Sequence, residues 1–246
     1  VIKSRIDTRD RLIVALDTSS LDEARAMVND LKEVVSFFKV GLELYCHAGT
    51  RLFDLIEETG VQVFFDGKFH DIPNTVAGAA RNVTRHQVRM FNVHATGGSK
   101  MMEAAAQASA ETAKETGKPR PILIAVTVLT SLSEKELAGE LSVPVPMTEH
   151  VLDLARLAKT SGLDGVVASA REARPIREAL GEDFVIVTPG IRPAWSASDD
   201  QSRIVTPARA LEDGADYLVV GRPITRAGDR KDAARRILDE MEQALS

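Results

Sequence analysis

The chain has 246 residues, 44% of them hydrophobic and 27% charged, with a formal net charge of −5 and a sequence pI near 5.6. That composition supports one large apolar core and excludes disordered and fibrous classes; the acidic balance argues against nucleic-acid binding and leaves room only for a small local anion pocket. Cys46 is the single cysteine, so no disulfide can form within the chain; no apolar run could span a bilayer, no leader pattern is present, and the expected compartment is the cytoplasm.

Apolar, β-branched runs alternate with helical patterns from end to end. Strands are predicted over Leu12 to Asp17, Val35 to Val40, Val61 to Asp66, Met90 to His94, Ile122 to Thr127, Gly165 to Ala168, Phe184 to Thr188 and Tyr217 to Val220. The first helix, with Leu21, Ala24, Val28 and Leu31 on one face, follows a Ser20-x-x-Glu23 capping box. After the third strand the chain turns at Ile72-Pro73, where Asn74 is placed to cap a helix through Ala77, Ala80 and Val83. Met90, Met101 and Met102 read as core, and the last helix carries Ala233, Ile237, Met241 and Leu245. No linker or low-complexity tract divides the chain, so residues 1–246 are expected to form one domain. Eight βα units in this length predict an α/β fold, the (β/α)8 TIM barrel. The turn Asp17-Thr18-Ser19-Ser20 lacks the glycine fingerprint of a dinucleotide-binding open sheet.

In such a barrel, chemistry collects at the C-terminal ends of the strands. Those ends read Asp17, Lys39, Asp66 with Lys68, His94, Thr130 with Ser131, Pro189-Gly190-Ile191-Arg192 and Gly221-Arg222. The densest is Asp66-Gly67-Lys68-Phe69-His70-Asp71-Ile72-Pro73-Asn74-Thr75. Two-residue spacing turns Asp66 and Lys68 the same way at the mouth of the strand, and Asp71 adds a second carboxylate on the following loop. A lone Asp-x-Lys pair at a strand end is most often a structural salt bridge. Three alternating charges among other charged strand ends instead suit a reaction that develops negative charge.

Arg192 and Arg222, with backbone N–H groups where a helix starts at Pro223, would make an anion site near strands seven and eight. Residues 192–202 are polar and weakly periodic, and they read as a lid over that anion. The five histidines show no metal-binding spacing, so no metal is expected, and Ser131 has no recognisable His-Asp relay.

The D-x-K-x-x-D-I-P-N-T run of Asp66 to Thr75 is accompanied, in order, by Leu16-Asp17, Lys39-Val40-Gly41, Asn92-Val93-His94-Ala95, Leu129-Thr130-Ser131, Thr188-Pro189-Gly190-Ile191-Arg192 and Val220-Gly221-Arg222-Pro223. Together these resemble the orotidine 5'-monophosphate decarboxylase family in its bacterial form, from about Arg11 to the C-terminus. The resemblance implies conversion of orotidine 5'-monophosphate to UMP and CO2, the last step of de novo UMP synthesis. By the same resemblance no metal or organic cofactor would take part, and a C6 vinyl carbanion would be protonated by Lys68. It also implies a homodimer with shared sites. On that pattern Asp66 would hold Lys68, Lys39 would extend the charge network, and Asp71, Ile72 and Thr75 would enter each site from the neighbouring subunit. Asp17, Lys39 and Thr75 would meet the ribose, and Thr130 or Ser131 the pyrimidine edge, while Arg192, Gln201, Gly221 and Arg222 would hold the phosphate.

The chain departs from that pattern at Gly67, often a larger aliphatic residue in relatives, and at Arg85-His86-Gln87-Val88, which replaces an apolar approach to the fourth strand. Two alternatives stand beside this reading. A magnesium-dependent sugar-phosphate decarboxylase or aldolase of the same suprafamily would need extra carboxylate ligands, and this chain has Lys39 where a glutamate would suit, with Glu43 displaced beyond it. A non-catalytic phosphate-binding barrel would have no use for an intact Lys68.

Overall fold

The computed structural model describes residues 6–196 and 205–246. Eight parallel strands close into a barrel in chain order: β1 Leu12–Ala15, β2 Phe37–Gly41, β3 Gln62–Phe69, β4 Met90–His94, β5 Ile122–Val126, β6 Gly165–Val167, β7 Val185–Pro189 and β8 Tyr217–Val220. The ring closes where Leu12, Ile13 and Val14 pair with Leu218, Val219 and Val220. Every strand expected from the sequence is present. Most bounds agree within two residues, but β3 runs three residues beyond Asp66.

Strand side chains alternate between two apolar surfaces, because a parallel barrel is covered by helices outside and packed within. Ile13, Phe37, Phe64, Met90, Ile124 and Val219 pack together inside the barrel. Their neighbours Val14, Phe38, Val63, Phe65, Phe91 and Val220 belong to the larger cluster between the strands and the helices. The inward register continues upward in steps of two. It passes from Ala15 to Asp17, from Phe37 to Lys39, from Phe64 to Asp66, from Met90 to Asn92 and from Val219 to Gly221. The first layer above the apolar interior is therefore polar and charged.

Two local expectations are corrected. Ser20 accepts the backbone N–H of Glu23 at 3.2 Å. The Glu23 carboxylate, however, takes the hydroxyl of Thr18, so only half of that capping box forms. A complete box occurs instead at Ser133 and Glu136. Asn74 is not a cap: the helix is Pro73–Arg85, with Ile72 at the N-cap position and no side-chain cap bond. Proline's fixed φ and missing N–H suit the first helical position, which moves the helix start ahead of Asn74.

At the opposite end of the barrel, Arg177 on the helix Ala170–Leu180 reaches Asp216 just before β8, with Nη2 to Oδ2 at 2.6 Å. The same carboxylate oxygen accepts Ile186 N–H at 2.8 Å, and Arg177 donates to the carbonyls of Phe184 and Gly214 at 2.9 and 2.8 Å. Both side chains are under one-tenth exposed. Removing one member of such a pair leaves the other charge buried without its nearest counter-ion. Asp216→Ala is expected to lower stability by about 3–5 kcal/mol, measured as a shift of the urea unfolding midpoint.

Candidate active site

A cleft of about 340 Å³ opens above the barrel interior. Asp17, Lys39, Asp66, Lys68, Thr130, Arg192, Gly221 and Arg222 all line it, contributed by six of the eight strand ends and their loops. Its size falls within the range of small-ligand pockets.

The charged end is an alternating chain. Asp17 Oδ1 lies 3.0 Å from Lys39 Nζ, Lys39 Nζ lies 3.3 Å from Asp66 Oδ2, and Asp66 Oδ1 lies 2.7 Å from Lys68 Nζ. The inner members are the most enclosed, the Lys39 and Asp66 side chains being 12% and 13% exposed. Burial alone would discharge Lys39, yet Asp66 and then Asp17 hold its ammonium above the ordinary lysine range. Burial likewise opposes ionisation of Asp66, but Lys39, Lys68 and hydrogen bonds from Lys68 and Asn92 bring its carboxyl below the usual range. Both stay charged at neutral pH because each is the other's counter-ion.

Asp66 and Lys68 converge as expected, but through an irregular backbone. Phe65 pairs with Phe91 and Phe69 with Val93, so four steps along β3 match two along β4. Lys68 takes φ +48° within this bulge. Asn92, buried at 1% exposure, fills the gap. Its Oδ1 accepts the Lys68 backbone N–H at 2.7 Å, and its Nδ2 donates to Asp66 Oδ1 at 2.7 Å. Sequence reasoning assigned Asn92 no role. The available signal was an amide on the inward register of the otherwise apolar run Met90-Phe91-Asn92-Val93.

Gly67 has a steric reason in this chain. A Cβ there would come within 2.6 Å of the Phe65 ring, which is buried among Tyr45, Phe53 and Phe69. The glycine thus admits the aromatic cluster behind the bulge.

The far end of the cleft is cationic. Among the described residues no carboxylate pairs with Arg192 or Arg222, and Gly221 precedes the short helix Arg222–Thr225. Among the described residues four cationic side chains and two carboxylates line the cleft, an excess of two positive charges in an acidic protein. A dianionic ligand fits that balance.

Asp71, Ile72 and Thr75 are exposed and do not line the cleft of their own chain. Asp71 Oδ1 accepts Ile72 N–H at 2.6 Å. Ser131 is exposed and also lies outside the cleft lining, whereas Thr130 is within it. Residues 197–202 of the expected lid, Gln201 among them, lie outside the described residues. Trp195, before that segment, has its ring 4.2 Å from the guanidinium of Arg236.

A model described as the Orotidine 5'-phosphate decarboxylase / HUMPS family matches residues 10–237. A relative from Heliobacterium modesticaldum named orotidine 5'-phosphate decarboxylase is 51% identical over 98% of this chain and 99% of its own length. One of the same name from Moorella thermoacetica is 52% identical over 97% of this chain and 94% of its own. The crystal structure of orotidine 5'-phosphate decarboxylase from Lactobacillus acidophilus superposes with a TM-score of 0.84 at 40% identity, covering 94% of this chain and 99% of that one.

His94 stands beside the charge network, its ring 5.4 Å from that of His70. Burial, then His70 and Lys68, push its pKa below the usual 6.5, against a smaller opposing pull from Asp66. The unfolded chain therefore takes up this proton first. The contribution of His94 to stability is complete above pH 6.5 and is lost as pH falls through the lower folded value. An NMR titration is expected to place the His94 midpoint below 6.5, and His94→Asn should flatten the fall in melting temperature over that acid window.

Proposed function

The chain belongs to the Orotidine 5'-phosphate decarboxylase / HUMPS family, and from that premise we propose that it converts orotidine 5'-monophosphate to UMP and CO2, with Lys68 as the proton donor. The observation that carries this reading is one cleft holding an Asp17–Lys39–Asp66–Lys68 charge chain at one end and, at the other, Arg192 and Arg222, which have no carboxylate partner among the described residues. The first suits a developing carbanion and the second a phosphate.

In the proposed reaction the C6–carboxylate bond breaks and its electron pair stays on C6 as CO2 departs. The Lys68 ammonium stabilises that pair electrostatically and then gives up a proton to form the C6–H bond of UMP. The resulting amine regains a proton from solvent. Asp66 aims the Lys68 ammonium, and Lys39 helps keep Asp66 ionised. Asp17 and Lys39 take the ribose hydroxyls, Thr130 or Ser131 meets the pyrimidine edge, and Arg192, Gln201, Gly221 and Arg222 take the phosphate. None of these steps calls for a metal or an organic cofactor.

The reading includes a cytoplasmic homodimer in which Asp71, Ile72 and Thr75 serve the neighbouring subunit's cleft. Their exposure, the 67% exposure of the Ile72 side chain's residue, and their separation from their own cleft support that assignment. Asp71 would then press on the departing carboxylate, a like-charge contact relieved as CO2 leaves. A magnesium-dependent sugar-phosphate reaction is disfavoured by the geometry. Lys39 occupies the second strand end with Asp17 and Asp66 on its ammonium, and Glu43 is bonded to Ser19 at 2.7 Å outside the cleft.

Protein treated with a chelator is expected to turn over orotidine 5'-monophosphate, followed by its absorbance change, and Lys68→Ala should lower kcat by at least about 10³-fold. Folded protein that leaves the nucleotide unchanged would sink the reading. Mixing Lys68→Ala with Asp71→Ala chains, each inactive alone, is expected to restore part of the activity. No recovery in verified heterodimers would rule out shared sites.

A further inference from the structure

We propose that Asn92 is a positioning residue for the decarboxylation, an amide clamp that fixes the Lys68 backbone and the Asp66 carboxylate together. The inference rests on the proposed role of Lys68 and adds to it the device that holds that lysine in place.

The need for a clamp comes from the bulge. Between Phe65 and Phe69 the ladder with β4 is interrupted, and Asp66, Gly67 and Lys68 lie in the interruption. Lys68 adopts φ +48°, a left-handed conformation that side-chain-bearing residues seldom hold without outside support. Its N–H has lost a regular ladder partner and finds Asn92 Oδ1 at 2.7 Å. The other end of the same amide donates to Asp66 Oδ1 at 2.7 Å, the oxygen that also receives Lys68 Nζ at 2.7 Å. Asn92 thus touches the lysine at its backbone and the carboxylate that orients its ammonium.

An amide supplies a neutral acceptor and a neutral donor on one short, flat group. Leucine fills nearly the same volume and supplies neither. An aspartic acid supplies both only while protonated, and once ionised it places a second carboxylate against Asp66. Pairing of Asn92 with Ile124 of β5 is through the backbone and does not depend on the side chain. The charged and titratable groups around the amide are Asp66 and Lys68 on β3, Lys39 on β2, His94 on its own strand and His70 beyond it. On the β5 side the neighbours Ile124 and Val126 are apolar.

The test compares Asn92→Leu and Asn92→Asp with the unmodified protein, reading kcat and KM for orotidine 5'-monophosphate across a pH series. Asn92→Leu is expected to lower kcat about 10²-fold at every pH, with KM changed less than about threefold. Asn92→Asp should retain activity within about tenfold at acid pH, where its protonated carboxyl can copy the amide. It should then lose activity as it ionises, an alkaline limb that sets in at lower pH than any loss shown by the unmodified enzyme or Asn92→Leu.

Both variants active within about threefold at all pH values would overturn the proposal, as would equal losses with parallel pH profiles. If Asn92→Leu does not fold, the alkaline limb of Asn92→Asp decides. If the unmodified protein fails to decarboxylate the nucleotide, the decarboxylase reading fails separately, and the clamp is judged by ¹³C titration of the Asp66 carboxyl in Asn92→Asp. A midpoint above that of the unmodified protein supports it, and an unchanged midpoint overturns it.

Discussion

Everything at the mouth of the barrel depends on the Asp66 carboxylate remaining ionised where it is largely shielded from water. It does so because its two oxygens are shared among three donors: the Lys39 ammonium on one, and the Lys68 ammonium and Asn92 amide on the other. A buried ion pair is weak evidence for stability, since desolvation commonly offsets the attraction. An alternating chain of four such groups is better understood as preorganisation. The charges stand in place before a ligand arrives, so the site need not reorient dipoles as charge develops.

The barrel makes this arrangement geometrically inevitable for most of the participants and irregular for one. Period-two alternation carries Asp17, Lys39, Asp66 and Asn92 onto the inward register directly above Ala15, Phe37, Phe64 and Met90. Lys68 shares the parity of Asp66, but a flat strand would have sent it farther along the barrel axis. The bulge shortens that path and lets its ammonium fold back onto the Asp66 carboxylate. The aromatic cluster of Tyr45, Phe53, Phe65 and Phe69 supports the bulge from outside, and Gly67 leaves room for the Phe65 ring. At the other end of the cleft, the two arginines are left without carboxylate partners among the described residues, which gives an anionic group somewhere to be held.

The architecture was legible because hydrophobic periodicity and chain order are sequence properties: eight apolar runs separated by helical patterns leave few folds open. The strand-end charges were legible for the same reason, and Asp17, Lys39, Asp66, Lys68, Thr130, Arg192, Gly221 and Arg222 share one cleft. What escaped were features decided by competition between neighbouring atoms. Thr18 outcompetes the Ser20 backbone for Glu23, and Pro73 starts its helix ahead of Asn74. The extension of β3 past Asp66 and the buried role of Asn92 both arise from register against β4, which no local pattern in β3 specifies.

The most direct test of the central claim is exchange at C6 of UMP in deuterium oxide. If Lys68 delivers the proton to a C6 carbanion, microscopic reversibility requires the same residue to remove it from bound UMP. Deuterium should enter C6 with the unmodified protein and not with Lys68→Ala that still binds UMP. Exchange that persists without Lys68, or decarboxylation by the unmodified protein with no exchange from bound UMP, would contradict the account.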